Sequence, residues 1–380
     1  MLRRTWLICW SIIGLSACVA GCEQVNEQLS RFTNSGGSED ADAELIEFEP
    51  DESTAPESDT LEFTLKIGDR FPLLKRVEQT LTQQTTSGPA LSRSTLELLM
   101  AIEVEEIREG SKRLGVRYHR VRYQQDIAGQ RMEYDSDAPP TALPAELQVY
   151  AGLLDNGFSF WIGPDNQIQE LVGFNEFMQR CVRSVPAGQQ QAVLTRLAET
   201  SGEEGIANFV DESIGLLPQA SDAAGGAVAV GDSWIRQREV ARPVPLYVSH
   251  NCTLKSLDDA TAEIDVVGTI AASTTYGPQA ADPQASRITV RGGQVRGNCT
   301  IDRRSGLPVR SHSERRLDMS IQLAGGESFE QQKHVVTSIH AFPQDSSLGN
   351  APGVAAGAGQ PSAATIVPAS HAEVPPDSGR

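Results

Sequence analysis

The chain has 380 residues, of which 39% are apolar and 22% are charged, and its formal net charge at pH 7 is −18. This length suffices for one large domain or two small ones. The acidic balance excludes a general nucleic-acid-binding protein, because phosphate binding requires a basic face. No apolar run of 18 or more residues follows the first two dozen positions, so the sequence predicts no internal transmembrane helix.

Residues 1–22 have the three-part layout of a secretion signal. Arg3 and Arg4 precede an apolar stretch over 7–15, and small residues follow that stretch. The segment is too short and ends too abruptly for a stable membrane span. It therefore predicts export, and an uncleaved short membrane anchor is the alternative interpretation.

The end of this segment resembles the bacterial lipoprotein signal, in which an apolar residue and two small residues precede a cysteine. Val19-Ala20-Gly21-Cys22 fits this pattern, and Leu15-Ser16-Ala17-Cys18 is the alternative register. The resemblance implies acylation of Cys22, which tethers the chain to a membrane of a bacterial envelope, facing the periplasm or the exterior. Several acyl chains on one residue suffice for stable anchoring.

The two flanks of the chain have the composition of disordered segments. Residues 23–60 contain twelve acidic residues against one basic residue, Arg31, and few aromatic residues. Such a segment cannot bury enough apolar surface to offset its ordering entropy, so it predicts a disordered acidic tether. Residues 344–380, rich in Ala, Gly, Pro and Ser, predict a disordered tail.

Residues 61–343 form the predicted body, and apolar and polar residues alternate through most of it. The alternation is clear around Leu61 to Leu65, Leu96 to Val104, Leu246 to Leu254, Val295 to Ile301 and Leu317 to Leu323. A period of two with one polar face predicts antiparallel strands that are half buried. Gly110-Ser111 marks a hairpin turn.

The middle of the body, around 142–217, has helical spacing instead. It predicts helices over 142–154, 175–185, 189–199 and 203–217. Between the first two helices, the segment from Phe158 to Ile162 reads as a strand, and a second short strand follows around Ile168. The middle of the chain is therefore predicted to be a helical insert.

A weak internal repeat suggests how the strands are arranged. Ile67-Gly68-Asp69-Arg70-Phe71 matches Val230-Gly231-Asp232-Ser233-Trp234, and each match precedes long strands. Gly and Asp together are typical of a turn. We therefore predict an α+β fold, mostly antiparallel β, in which a duplicated β-meander forms a curved sheet or half-barrel with a helical insert.

These features together resemble an uncharacterised family of bacterial lipoproteins of the planctomycete type. The signal with its cysteine, the acidic spacer, the Gly-Asp-aromatic strand opening and the turn over 301–308 carry the resemblance, which covers about residues 60–343. The shared motifs are residue patterns typical of turns, and the resemblance assigns no functional residue to this chain. The architecture is also similar to periplasmic lipoprotein carriers, an analogy of fold that does not fix function.

Cys252 and Cys299 are candidates for a disulfide. Both lie on apolar faces of predicted strands, within identical Asn-Cys-Thr triplets, and an oxidising periplasm permits the bond. The alternative is two buried free thiols. Cys181, in a predicted helix, is expected to be buried and inert.

No motif assigns a catalytic, cofactor-binding or metal-binding residue. The sequence lacks a nucleophile elbow, a phosphate-binding loop and a Rossmann fingerprint. His334 and His340 share a strand face, but two ligands seldom make a metal site. No cofactor is predicted.

Our leading functional hypothesis is a non-enzymatic, lipid-anchored envelope protein. A curved sheet with a helical cover could hold an apolar ligand or lipid on its concave face, and Phe160, Trp161 and Trp234 are the candidate lining residues. One alternative is an envelope scaffold or protein-interaction module. The other is a hydrolase with a site assembled from distant residues, including His119 or His250.

Overall fold

A computed structural model describes residues 58–61, 64–85, 88–164, 168–201, 227–240, 245–272, 287–322 and 327–343. Cys18, Cys22, residues 23–57, the predicted helix 203–217 and the tail 344–380 lie outside these residues. Among the described helices, none is long and apolar enough to cross a membrane.

Long antiparallel strands make up most of the described chain. The strands are β1 (Ser58–Thr60), β2 (Arg70–Thr85), β3 (Gly88–Arg108), β4 (Ser111–Ile127), β5 (Gln130–Asp135), β6 (Gly157–Ile162), β7 (Ile168–Val172), β8 (Ala227–Ala229), β9 (Ser233–Val240), β10 (Leu246–Leu257), β11 (Thr261–Ala272), β12 (Arg287–Asp302), β13 (Pro308–Gln322) and β14 (Ser328–Ala341). The helices are α1 (Ala145–Ala151), α2 (Phe174–Cys181) and α3 (Ala187–Ser201).

One sheet of 12 strands organises the molecule. Its order is β7-β6-β4-β3-β2-β14-β13-β12-β11-β10-β9, and β5 also pairs with β4. Most neighbours in the sheet are neighbours in sequence, as hairpin connections require. The exceptions are the β4–β6 pair, between which β5 lies in sequence, and β14, the last strand, which lies between β2 and β13. β1 and β8 form a separate antiparallel pair.

The strands form because their apolar residues recur at every second position and can share one face. In β11, for example, Ala262, Ile264, Val266, Gly268 and Ile270 alternate in burial with more exposed residues. We call the face that carries these residues across the sheet the inner face. The first and last thirds of the sheet approach each other over this face, because Ile168 in β7 packs against Val248, Ile270 and Val295. The sheet is therefore curled.

Helices α1 and α2 cover the inner face of β4 and β6. Tyr150 of α1 stacks on Tyr123 with ring centroids 4.1 Å apart, and Phe177 of α2 lies 5.1 Å from Phe158 by the same measure. Burial raises the pKa of Tyr123 and, more strongly, that of Tyr150. These phenols stay neutral at physiological pH.

Asn156 fastens this helical cover to the sheet. Its Nδ2 donates to the carbonyls of Gly152 at 3.0 Å and Phe177 at 3.3 Å, while its Oδ1 accepts from the Gly157 N–H and from Arg180 Nε. One buried amide thus joins the end of α1, helix α2 and the start of β6.

The strands agree with the alternation over most of the described body, and helices occur at each of the three predicted helical positions that lie within the described residues. Leu61 and Leu65 differ from this expectation, because both are buried but belong to no strand. Residues 58–60, which the sequence placed in the tether, form β1 instead, and Asp59 in β1 accepts a hydrogen bond from Arg303 at 2.9 Å.

The two Gly-Asp motifs form the same turn. Gly68 has φ +89° and Gly231 has φ +96°, which is the conformation that glycine adopts most readily. In the first turn the Gly68 N–H donates to Val104 O, and the Val104 N–H donates to Asp69 O. In the second turn Gly231, Leu254 and Asp232 make the same two bonds. The carboxylates also match.

Each Asp carboxylate closes its turn from the side chain. Asp69 Oδ2 accepts from the Lys66 N–H at 2.9 Å, and Asp232 Oδ2 accepts from the Ala229 N–H at 2.8 Å. The repeat in the sequence is therefore a repeated local structure, placed at the start of β2 and of β9.

Candidate functional site

A row of polar side chains crosses the inner face of the sheet. The pairing registers connect Arg236, His250, Gly268, Val295, Arg315, Val335, Gln79, Ser94 and Gln125, one from each strand from β9 to β4. Residues opposite each other in a register point to the same face. Most of this row is polar although the rows beside it are mainly apolar, so it is the feature of the inner face that packing alone does not explain.

The inner face of β2–β4 and β9–β14 carries basic residues and no acidic residue in the described parts of those strands. The basic residues are Lys75, Lys112, Arg236, Arg238, Arg315 and Lys333. The acidic residues of these strands lie on the opposite face, as Glu314 and Asp318 do in β13. The acidic residues in the described parts of these strands are thus confined to the outer face of the sheet.

Lys333 stands at the centre of a small cluster on the inner face. In the register, Lys333 of β14 is diagonal to Arg315 of β13 and to Gln79 of β2. Such diagonal neighbours are about 7–8 Å apart at Cα, within reach of long side chains. Desolvation and the Arg315 guanidinium lower the pKa of Lys333 to about 8. The Arg315 and Lys333 side chains are therefore close enough to act on one ligand.

Two amides beside this cluster are buried with unsatisfied atoms. Gln331, two residues before Lys333 on the same face, is 3% exposed, and Gln79 is 7% exposed. Among the described residues, the Oε1 and Nε2 of Gln331 and the Oε1 of Gln79 have no hydrogen-bond partner. Buried polar groups are almost always paired, so these amides indicate a position that a polar group outside the chain can fill.

Gly268 shapes the opposite end of the polar row. A Cβ at Gly268 would lie 2.6 Å from Cδ2 of His250 and 2.6 Å from the Ser249 carbonyl oxygen. No side chain fits there, so the glycine lets the buried His250 ring lie against the backbone of β11.

The structure separates the three aromatic residues that we predicted to line a ligand site. Phe160 is fully buried on the inner face of β6, and Trp234 is buried on the inner face of β9 opposite Cys252. Trp161 lies on the other face of β6, where the Arg108 guanidinium carbon is 5.6 Å from its ring centroid. Alternation within β6 explains this, since adjacent residues of a strand face opposite sides.

No disulfide joins Cys252 and Cys299, which the described structure contains as buried thiols. They lie on β10 and β12, with β11 between them. Two strand spacings amount to about 9.6 Å, whereas a disulfide requires Cα atoms within about 7 Å. The predicted bond was inferred from shared faces, which fix orientation but not adjacency. Burial raises the pKa of the Cys299 thiol to about 12.

The histidines occupy separate places. His334 and His340 share the outer face of β14, where His334 Nε2 lies 2.9 Å from Glu314 Oε1. His119 lies at a bulge of β4, and desolvation with the Arg70 charge lowers its imidazole pKa. Within the described residues, no three or more His, Cys, Asp or Glu side chains form a group that could hold a metal ion.

A family model matches residues 109–308, which run from the β3–β4 turn to the start of β13. Its description is a family of unknown function, DUF6263. The chain belongs to this family. Membership in DUF6263 agrees with the expectation of an uncharacterised family, and no curated protein matches the chain.

Solved structures with a partial likeness to this DUF6263 chain include outer membrane channels. DcaP of Acinetobacter baumannii is 7% identical with a TM-score of 0.14, and the match covers 77% of this chain and 55% of DcaP. This chain thus spans about half the length of DcaP. OprD from Pseudomonas aeruginosa is 10% identical with a TM-score of 0.19, with 75% of this chain and 97% of OprD covered. A BenF-like porin from Pseudomonas fluorescens Pf-5 is 6% identical with a TM-score of 0.17, and the shares covered are 73% and 100%.

Proposed function

We propose that this DUF6263 chain is a lipid-anchored protein of the bacterial cell envelope that binds an apolar ligand or lipid on the inner face of its sheet. The observation that carries the ligand-binding part is the composition of the inner face, where mainly apolar rows flank one polar row. An amphipathic molecule, with an apolar chain and a polar end, matches this composition.

The anchor is proposed from the N-terminal sequence. Residues 1–22 have the layout of an exported lipoprotein signal that ends at Cys22, and acidic residues 23–57 fit a spacer between membrane and body. Expression of Cys22→Ala tests this, with Cys18→Ala as the matched control. We expect Cys22→Ala to leave the membrane fraction and lose acyl labelling, whereas Cys18→Ala keeps both. The reverse result would move the anchor to Cys18.

The ligand-binding part has its own experiment. The full chain with Cys22→Ala is purified without added lipid and titrated with N-phenyl-1-naphthylamine, a neutral apolar dye. We expect saturable binding with enhanced dye fluorescence, and mass spectrometry of gently purified protein should detect a bound lipid or other apolar molecule. Absence of both saturable dye binding and bound molecules would contradict ligand binding.

We also propose that the body arose by duplication of a β-meander with a helical insert. Three observations support this: the matching turns at Gly68-Asp69 and Gly231-Asp232, the same strand directions at β2 and β9, and the strand order. In that order β7-β6-β4-β3-β2 and β13-β12-β11-β10-β9 run in the same sense, on either side of β14. The scaffold and hydrolase alternatives stay predictions.

A further inference from the structure

We infer that one end of the curled sheet, which carries the exposed side chains of Ile67 and Val230, rests on the surface of the lipid bilayer to which the chain is anchored. We call it the tether end, and its turns are 66–69, 108–111, 229–232, 257–261 and 302–307. The inference rests on the proposed lipid anchor and adds a direct contact between the body and the membrane.

The acidic tether leaves the body at this end. β1 pairs with β8 just before the second Gly-Asp turn, and Asp59 in β1 accepts a hydrogen bond from Arg303 of the turn 302–307. Leu61, directly after β1, is buried and packs beside Trp234. These contacts fix the point at which the chain enters the body, so a tether that runs to the membrane starts from the tether end.

The length of the tether keeps the body near the bilayer. A flexible chain as long as residues 23–57 has an r.m.s. end-to-end distance of about 30–35 Å, and more when its charges repel each other. A second binding surface on a tethered molecule acts at an effective concentration on the order of millimolar. A contact too weak to bind the membrane by itself therefore suffices once the anchor is in place.

Exposed aliphatic side chains occupy the same position in the two Gly-Asp turns. In each turn the Asp N–H donates to the carbonyl three residues before it, so Ile67 and Val230 are each the second residue of a four-residue turn. Ile67 is 65% exposed and Val230 is 46% exposed. The Asp and Gly of each turn supply its side-chain hydrogen bond and its positive φ, so the turn itself requires no aliphatic residue at the second position.

The two ends of the sheet differ in exposed apolar residues. Val309, directly after the last turn and Pro308, is a third exposed aliphatic residue at the tether end. Near the turns 85–88 and 127–130 at the opposite end, Leu91 is the one large apolar residue of the described chain that is exposed. Single exposed apolar residues are ordinary, whereas several at one end indicate a contact surface.

Trp161 adds an aromatic side chain to the tether end. It is partly exposed on the outer face near the end of β6, and the Arg108 guanidinium lies over its ring. Tryptophan rings and the aliphatic stems of arginines favour the boundary between lipid chains and water. Since the tether brings the bilayer to this end, a lipid surface is the partner that fits these side chains.

Quenching by lipids tests the contact directly. The acylated full chain is reconstituted in phosphatidylcholine vesicles that contain a doxyl-labelled phosphatidylcholine, with a thiol-reactive fluorophore on Ile67→Cys or on Val230→Cys. The cysteines of the described chain are buried, so labelling of the folded protein is confined to the new residue. Labels on Leu91→Cys, at the opposite end, and on Val267→Cys, on the exposed outer face of β11, are the controls. We expect quenching at Ile67→Cys and Val230→Cys to exceed that of both controls by about threefold or more, because their labels enter the bilayer boundary.

A charge at one turn tests whether both turns contact the same bilayer. Ile67→Asp should lower the quenching of a label on Val230→Cys by about twofold or more, since a carboxylate is costly to move into the lipid boundary. Leu91→Asp is the matched control and should leave that quenching unchanged. Near-UV circular dichroism shows that each variant keeps its fold, which we expect because the substituted side chains are exposed.

The outcomes separate this inference from the proposed anchor. A chain that floats with the vesicles, but whose labels on Ile67→Cys and Val230→Cys are quenched no more than the controls, would overturn the bilayer contact and leave the anchor standing. Equal effects of Ile67→Asp and Leu91→Asp would do the same. A chain that does not stay with the vesicles would overturn both the anchor and the contact.

Discussion

Gln331 is costly for the fold and useful for the proposed ligand. An unsatisfied buried polar group costs about 1–3 kcal/mol, and neither amide atom of Gln331 has a partner among the described residues. Selection for stability alone would place an apolar residue at this position. A binding role explains why a glutamine is found there.

We predict that Gln331→Leu stabilises the protein without ligand by about 1–2 kcal/mol. For a body of this size that gain raises the Tm by about 2–8 °C. Thermal and urea unfolding measure it. Gln332→Leu is the control, because Gln332 lies on the outer face of β14 and its Nε2 donates to Asp318 at 2.8 Å; a similar gain in both variants would count against the argument.

Lys333 predicts a particular pH dependence of stability. Its pKa in the folded protein is about 8, below its ordinary value of 10.5, because of desolvation and Arg315. Between these values the unfolded chain binds a proton that the folded protein has lost, so the Lys333 contribution to stability rises with pH. On the β2 side of Lys333, the neighbouring residues Leu81 and Gln79 carry no titratable group.

We therefore expect the unfolding free energy of the wild type, minus that of Lys333→Gln, to increase as pH rises from 7.5 to 10. Urea unfolding at several pH values measures this difference. The contributions of the titratable groups that both proteins share largely cancel in it. A difference that stays constant or falls would show that the Lys333 ammonium is well solvated.

Part of the site could be read from the sequence. Arg315 has the same parity as Leu317, Met319 and Ile321 in β13, so a charge on the apolar face was visible in the alternation. What the sequence could not show is that Arg315 neighbours Lys333 and Gln79, because that requires the pairing of strands far apart in the chain. Burial of the two glutamines was equally hidden.

At the scale of elements, the two Gly-Asp turns start their strands in the same way. We predict that Asp69→Ala and Asp232→Ala each destabilise the protein by about 1–2 kcal/mol, since each removes a charged acceptor from a backbone N–H. Asp69→Asn and Asp232→Asn keep an oxygen acceptor and should cost less. Urea unfolding gives the four values, and unequal losses for the two alanine variants would weaken the proposed duplication.

The position of β11 between Cys252 and Cys299 predicts the redox state of these two residues. Because β11 keeps Cys252 and Cys299 apart, both should remain thiols in an oxidising compartment. In denaturant without reductant, Cys252→Ala should then lower the count of reactive thiols by one. If Cys252 and Cys299 formed a disulfide, the substitution would instead raise the number of reactive thiols by one, because it would free Cys299. Titration with a thiol reagent distinguishes the two.

The elements themselves were the most predictable level of the structure. Period-two alternation located β3, β10, β12 and β13, because a half-buried strand leaves that pattern wherever it lies. Leu61 misled the same argument, since it packs with Val228 and Trp234 without strand pairing. Burial alone can therefore place an apolar residue where the alternation predicts a strand.

At the scale of the whole molecule, β14 joins the two halves of the sheet. Residues 331–341 of β14 pair with residues 73–83 of β2, and β13 pairs on the other side. The sequence could not predict this arrangement, because alternation says nothing about which strands become neighbours. A meander would have placed β14 at an edge of the sheet.

We predict that a chain ending at residue 343 folds like the full chain, whereas a chain ending at residue 327 does not form the native sheet. The first loses only the predicted tail, and the second loses β14 and with it the connection between β2 and β13. Near-UV circular dichroism and urea unfolding distinguish the two. A cooperative native-like transition in the shorter chain would show that the halves fold independently.

The central place of β14 also decides when the protein can finish folding. Until β14, roughly the last twentieth of the body, has been synthesised, the backbone groups along β2 lack the neighbour they finally acquire, and an open strand edge can pair with another chain. For nearly all of its synthesis, therefore, the nascent chain exposes the edge of β2, and strand pairing with other nascent copies has to be prevented. Its cellular yield should therefore depend on chaperones that shield such edges.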